Sequence, residues 1–194
     1  MVIQIGQGFS DDERPFVGAL YWQAFRRKLK PAFSSDERGL LNVTASLRAD
    51  RTFVARADAS VVGMCGYRQA GFGAVSPTFA MLRGQLPFLA ALRARLVLSP
   101  LARSDVSDAL VLDGICVAED QRGRGTGSAL LEAASEYARA SGLHAVQLTV
   151  VDTNPRAEAL YRRQGFLPVD GGRMGTLASI YGFDRYTTME KEVS

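Results

Sequence analysis

The chain has 194 residues, 47% hydrophobic and 22% charged, with 23 Lys and Arg against 20 Asp and Glu for a net charge of +3. That length suits one domain of the usual ~100–200 residues, and that balance excludes wholesale disorder. The cationic surplus suits an anionic ligand but is too small to make a nucleic-acid binder by itself.

Residues 2–5 form a short apolar run, read as a first strand. They lack the basic and apolar regions of a signal peptide, so a cytoplasmic protein is expected. Asp11-Asp12-Glu13 opens a helix, since the helix dipole favours acids there; Phe16, Ala19, Leu20, Gln23 and Ala24 recur at helical spacing, and Pro31 stops it. Ser34 or Ser35, with Glu37 behind it, starts a second helix carrying Leu40, Leu41, Val43, Thr44 and Leu47. Residues 51–70 read as a β-hairpin turning at Asp58-Ala59-Ser60. Residues 71–106 form an insertion. Gly71-Phe72-Gly73 and Ser76-Pro77 are loop material; 79–98 is apolar and helical, broken or restarted at Pro87. Arg83, Arg93 and Arg95 interrupt it too often for a membrane span, and no membrane partner is expected.

Residues 109–117 are an apolar strand of the kind buried on both faces. A polar, glycine-rich loop, 119–127, leads into a helix over 128–139, where Leu130, Leu131, Ala134, Tyr137 and Ala138 share a stripe and Gly142 sits at the C-cap. Residues 145–151 are the next strand. Asn154 and Pro155 then cap and begin a short helix with Ala157, Leu160, Tyr161 and Gln164 on one face, ended by Gly165. Residues 186–193 read as a closing strand. The order β-αα-ββ-insertion-β-α-β-α-β predicts a single α/β domain over 1–194 with a mixed sheet.

Two cysteines, Cys65 and Cys116, and one histidine, His144, are too few and too scattered for a zinc site of about four ligands, so no metal is expected. A Ser-His-Asp triad would have to use His144, and no G-x-S-x-G elbow accompanies it. The chemistry concentrates instead in Gln121-Arg122-Gly123-Arg124-Gly125-Thr126-Gly127, which joins a buried strand to an apolar helix. Amides at a helix start have no intrahelical partner and carry partial positive charge. Glycine lets the chain turn tightly and a ligand approach the backbone. Such a loop cradles a phosphate or pyrophosphate, with Arg122 and Arg124 as added cationic donors. A P-loop would need Gly-Lys followed by Ser or Thr, which is absent, and a dinucleotide fingerprint would need a different glycine spacing near the start of the domain.

The R-x-x-G-x-G spacing of Arg122, Gly125 and Gly127 resembles the acyl-coenzyme-A signature of the GCN5-related N-acetyltransferase (GNAT) superfamily. Asn154-Pro155-Arg156-Ala157-Glu158-Ala159-Leu160-Tyr161-Arg162-Arg163-Gln164-Gly165-Phe166 is similar to that family's second signature, about 30 residues further on. The clear match runs from Leu110 to Phe166. The resemblance implies a mixed, mostly antiparallel sheet flanked by helices, with the 71–106 insertion as an addition. It implies acetyl-CoA as co-substrate and a small-molecule or peptide amine as acceptor. The pantetheine arm would lie along Ile115, Cys116 and Val117, and the pyrophosphate on Arg122, Gly123, Arg124, Gly125, Thr126 and Gly127. Asn154 would contact the cofactor arm. Tyr161 would protonate the leaving thiolate.

The base is open. On strand alternation Asp113 shares a face with Ile115 and Val117, and some relatives carry a carboxylate near this position. Asp113 would take the amine's proton, anchor an ammonium, or serve only as partner to a buried amide. The insertion is read as a cap on the acceptor pocket, with Phe72, Phe79, Met81 and Phe88 as lining; the competing reading is a core or dimer-interface helix, and a homodimer is left open. Two other functions stay in view: a non-catalytic acyl-CoA sensor using the same cradle, and an RNA-binding domain built on Arg-Gly-Arg-Gly. Little net charge and no interleaved exposed aromatics speak against the latter.

Overall fold

A computed structural model describes residues 2–101 and 105–193. Seven strands form one sheet: β1 (Ile3–Gln7), β2 (Thr52–Ala57), β3 (Ser60–Arg68), β4 (Ala109–Val117), β5 (Ala145–Val151), β6 (Leu167–Arg173) and β7 (Arg185–Glu192), in the spatial order β1-β2-β3-β4-β5-β7-β6. All neighbours are antiparallel except β4 and β5. The expected mixed, mostly antiparallel sheet is therefore the one observed.

Helices cover both faces. On one lie α1 (Arg14–Leu29), α2 (Asp36–Ser46), α3 (Phe79–Gln85) and α4 (Phe88–Leu98); on the other lie α5 (Thr126–Ala140) and α6 (Pro155–Arg163). A short helix, α7 (Ala178–Tyr181), packs near α1. The Ser35 hydroxyl caps α2 by accepting from the Arg38 amide at 3.2 Å. Close approach of α1 and α2 needs small residues: a Cβ on Gly39 would run into the Trp22 ring, and one on Gly18 into Thr44. Pro87 divides the long apolar stretch, as its sequence predicts; Leu82, Leu86, Ala91 and Ala94 turn inward from the two halves.

Three expectations are corrected. The buried face of α1 is Val17, Tyr21 and Trp22, whereas Phe16 is 65% exposed and Ala19, Gln23 and Ala24 are exposed with it, so the predicted stripe lies largely on the solvent side of the helix. The loop-to-helix junction lies at Thr126 rather than residue 128. Strand β6 is absent from the predicted order because Pro168, Asp170, Gly171 and Gly172 read as breakers. It forms at the sheet edge, where only β7 needs its hydrogen bonds, and the register slips between Pro168 and Asp170.

The N-terminus of α1 is tied to the sheet through Glu13, whose carboxylate accepts from the Arg56 Nε at 2.6 Å and Nη2 at 2.8 Å. The Arg56 hydrogen bonds hold the Glu13 carboxyl down from 4.5 to about 2. A depressed carboxylate stabilises the fold above its unfolded value and loses that contribution as pH falls through the folded one. Denaturant titrations should therefore show about 1–2 kcal/mol of stability lost between pH 4.5 and 2, and Glu13→Gln should remove most of that slope.

Candidate active site

The sheet opens at its centre. β4 and β5 pair only through Ala109, Leu110 and Val111 opposite Ala145, Val146 and Gln147, while β5 stays paired to β7 along its whole length. Beyond Val111 the two parallel strands diverge. A cavity of about 860 Å³ fills the opening, with Leu112 to Ile115 on one side and Leu148 to Val151 on the other. The Ala118 amide donates to the Val62 carbonyl on β3 at 2.8 Å. Alternation along the strand then directs the Cys116 backbone to β3, and the N–H and C=O groups of Ile115 and Val117 towards the opening. Thus Ile115 and Val117 present backbone groups to the gap, and Cys116 does not.

The Cys116 side chain is buried on the α1–α2 side, and burial pushes its thiol up to about 12. The Cys65 thiol is raised too, by burial and by the charge of Asp113. Neither is a neutral-pH nucleophile.

A β-bulge sits at the mouth of the gap. Gly66 pairs with Gly114 and Tyr67 with Leu112, which leaves Asp113 opposite no residue of β3. The extra residue breaks strict alternation. Asp113 consequently turns to the α1–α2 face, while Ile115 and Val117 pack on the α5 side; the expected common face does not form. The Asp113 Oδ2 accepts from the Ala74 amide at 2.8 Å. Gly66 and Gly73 close around the carboxylate, and a Cβ on either would collide with it. The side chain lines the cavity and ties the insertion to the central strand.

At the end of β4 the chain enters the glycine loop. Gly123 and Gly125 have φ of 78° and 85°, left-handed values that glycine adopts without strain. Gly125 is the N-cap of α5, and the first helical bond runs from the Ala129 amide to its carbonyl at 3.0 Å. The amides of Gly123, Arg124, Gly125, Thr126 and Gly127 have no acceptor among the described residues. The Arg122 amide is already engaged, at 3.4 Å, by the Glu119 carbonyl. Its guanidinium braces the loop, reaching the Val117 carbonyl and the Glu119 carboxylate, both at 3.3 Å. Arg124 is exposed. The Thr126 Oγ1 is buried without a partner among the described residues. Gly127 has another reason to be glycine: a Cβ there would lie 3.0 Å from the Leu160 side chain, where α5 meets α6.

From α6, Asn154 and Tyr161 both line the cavity. The Asn154 Oδ1 accepts from the Ala157 amide at 3.2 Å, so it is an N-cap as its sequence predicts. The Tyr161 ring is 6% exposed and packs against Phe166. The far end of the cavity is built by residues that sequence reasoning passed over: Tyr21, Phe25 and Lys28 from α1, Arg95 from α4, and Phe183 and Tyr186 beside or on β7. No local pattern marks them, because they meet only in the folded chain. Of the four aromatic and apolar residues expected from the insertion, Phe72 and Phe79 line the cavity; Met81 and Phe88 point elsewhere, and Phe88 is 55% exposed. The insertion is therefore wall and core together.

A sheet split beside a helix-capping loop of free amides defines an α/β domain fit to hold an extended ligand with a phosphate head. Residues 15–166 match the Acetyltransferase (GNAT) family, and the chain belongs to that family. Two curated relatives are L-methionine sulfoximine/L-methionine sulfone acetyltransferases from Pseudomonas aeruginosa and Pseudomonas paraeruginosa. Each is 44% identical over 52 residues, 27% of this chain and 30% of the relative, so the match spans less than a third of their length. Among solved structures, an N-acetyltransferase from Staphylococcus aureus Mu50 superposes with a TM-score of 0.70 and 16% identity over 96% of this chain and 99% of that one. Another acetyltransferase gives 0.64 and 24% over 98% and 100%. At those identities the likeness is one of fold. No helix among the described residues is long and apolar enough to cross a membrane.

Proposed function

We propose that this chain transfers an acetyl group from acetyl-CoA to the primary amine of a small molecule by direct attack, with no acyl-enzyme. The observation that carries this reading is the run of unpartnered amides from Gly123 to Gly127, leading from the opened strand β4 into α5. Bound there, acetyl-CoA supplies an activated thioester carbonyl. The loop amides and Arg124 hold its diphosphate at the positive end of the α5 dipole. The Ile115 backbone and the Val117 N–H take the pantetheine arm as a strand would, the Val117 carbonyl being held by Arg122, and an N–H there offers an oxyanion donor. The Asn154 side chain steadies the arm from the other wall. As the N–C bond forms and the C–S bond breaks, the Tyr161 hydroxyl gives its proton to the departing sulfur and Asp113 receives the proton lost by the amine. Two free, buried thiols agree with a reducing, cytoplasmic setting.

The test is release of free thiol from acetyl-CoA with a panel of amines. Stabilisation by acetyl-CoA without thiol release across the panel would instead make the chain a binding module. The role of Asp113 is separable, because its carboxylate also holds the Ala74 amide. Asp113→Asn keeps an acceptor for that amide and removes the base. If Asp113 takes the proton, this variant should lose about 100-fold in kcat near neutral pH and regain part of it as pH rises. Wild-type rates in Asp113→Asn, with loss only in Asp113→Ala, would leave the residue as a clasp for the insertion.

A further inference from the structure

We infer that α4 is a membrane-contact helix, which lays an outward leucine ridge on a bilayer carrying anionic lipids. The helix is apolar on two sides. Ala91 and Ala94 are buried against the body of the protein, while Leu89, Leu92 and Leu96 lie outward in one stripe, with Phe88 at its start. Leu89 is 76% exposed and Leu96 64%. Leucines scattered singly over a surface need no explanation, but a helix that is apolar all round is one whose outer face is covered.

The charges say what covers it. One residue on from Leu92 turns the helix to Arg93, on one edge of the ridge; one residue back from Leu96 turns it to Arg95, on the other. Arg83 stands over the Phe88 ring at 5.5 Å. Arg83 and Arg93 donate to the backbone carbonyls of Leu86 and Pro31, at 3.1 and 3.0 Å, which leaves their charges uncancelled. No Asp or Glu occurs between residues 71 and 101. Through Pro31 the Arg93 edge adjoins the end of α1, where Arg26 and Lys30 share Asp36 and Arg27 is exposed.

A second copy of the chain is the poorer fit. Any two-fold pairing of the ridge on itself sets an arginine edge against an arginine edge, whether the two helices run parallel or antiparallel. The positive charge is also spread along both edges and beyond α4, rather than gathered at one point, which suits a charged plane. An anionic leaflet takes both parts at once. The leucines enter the boundary of the acyl chains, and the flanking arginines, whose stems lie along apolar surface, meet the headgroups. The arginines that bar this stretch from spanning a membrane are thus placed to hold it on one.

The experiment sediments the full chain with vesicles of phosphatidylcholine alone and of phosphatidylcholine mixed with phosphatidylglycerol. Binding should be at least about tenfold tighter to the anionic vesicles and should weaken as salt is raised. The double variant Leu89→Gln/Leu96→Gln and the single variant Arg93→Glu should each lose about tenfold or more of that binding. None of these three residues lines the cavity, and the thermal midpoint of each variant shows that the fold is kept. No preference for anionic vesicles, or binding that the leucine variant leaves intact, would overturn the inference. So would a concentration-dependent dimer, seen by sedimentation velocity without lipid and abolished in the leucine variant, which would give the ridge to a second copy.

Discussion

Tyr161→Phe is expected to lower kcat with acetyl-CoA by about 100-fold or more, the size of effect found when a positioned general acid is removed. Acetyl-CoA affinity should stay within about threefold of wild type, since equal binding of both states is not what a transition-state proton donor provides. The substitution is conservative: the ring is 6% exposed, packs against Phe166 and keeps all its carbons in phenylalanine. Stability should change by no more than about 1 kcal/mol, the net worth of one hydrogen bond. Steady-state thiol release and direct titration of acetyl-CoA separate the two quantities. Turnover equal to wild type would leave Tyr161 as a packing residue that lines the cavity without acting in it.

A second large effect is expected at the loop. Gly125→Val should weaken acetyl-CoA binding by about 100-fold or more, because the loss of even two charge-assisted hydrogen bonds of ~1.5–3 kcal/mol each reaches that size. A Cβ at Gly125 meets nothing within 4 Å, so it would project into open space at the loop rather than into the core. The backbone there has φ of 85°, which a β-branched residue adopts only with strain. Gly142→Val is the matched control. It also has positive φ, 73°, and an open Cβ direction, but lies just past the opposite end of the same helix. Both variants should therefore lose comparable thermal stability, and only Gly125→Val should lose the cofactor. Equal acetyl-CoA affinities for the two would remove the loop from the binding site.

Deleting residues 74–104 is a poor test of the insertion. It would strip Leu82, Leu86, Ala91 and Ala94 from the core, where each large aliphatic side chain stabilises the fold by roughly 1.5–3 kcal/mol. Exchanges at the cavity wall, Phe72→Ala or Phe79→Ala, report on acceptor choice without removing that core. They should change acceptor KM more than acetyl-CoA affinity, as steady-state kinetics with both substrates varied would reveal.

Much of the fold around the glycine loop and the central strands was legible without a structure. The loop glycines, the Asn154-Pro155 helix start, the Pro87 break and the strands at 52–57, 109–117 and 145–151 are local events, set by which backbone angles and periodicities neighbouring residues permit. The resemblance to the family's two signatures then grouped the loop and the Asn154-Pro155 helix start as one expected cofactor site. What the tertiary structure alone decided is the other half: which side of the sheet Asp113 faces, that β6 forms on the edge, and which residues enclose the far end of the cavity. The Asp113 bulge depends on the pairing of β3 with β4, across an insertion of some forty residues. The Lys28 and Arg95 side chains come from positions more than sixty residues apart in sequence, and they line a common cavity where β4 and β5 part company beyond Val111. Such features rest on contacts between distant segments, whose register no single stretch of chain encodes.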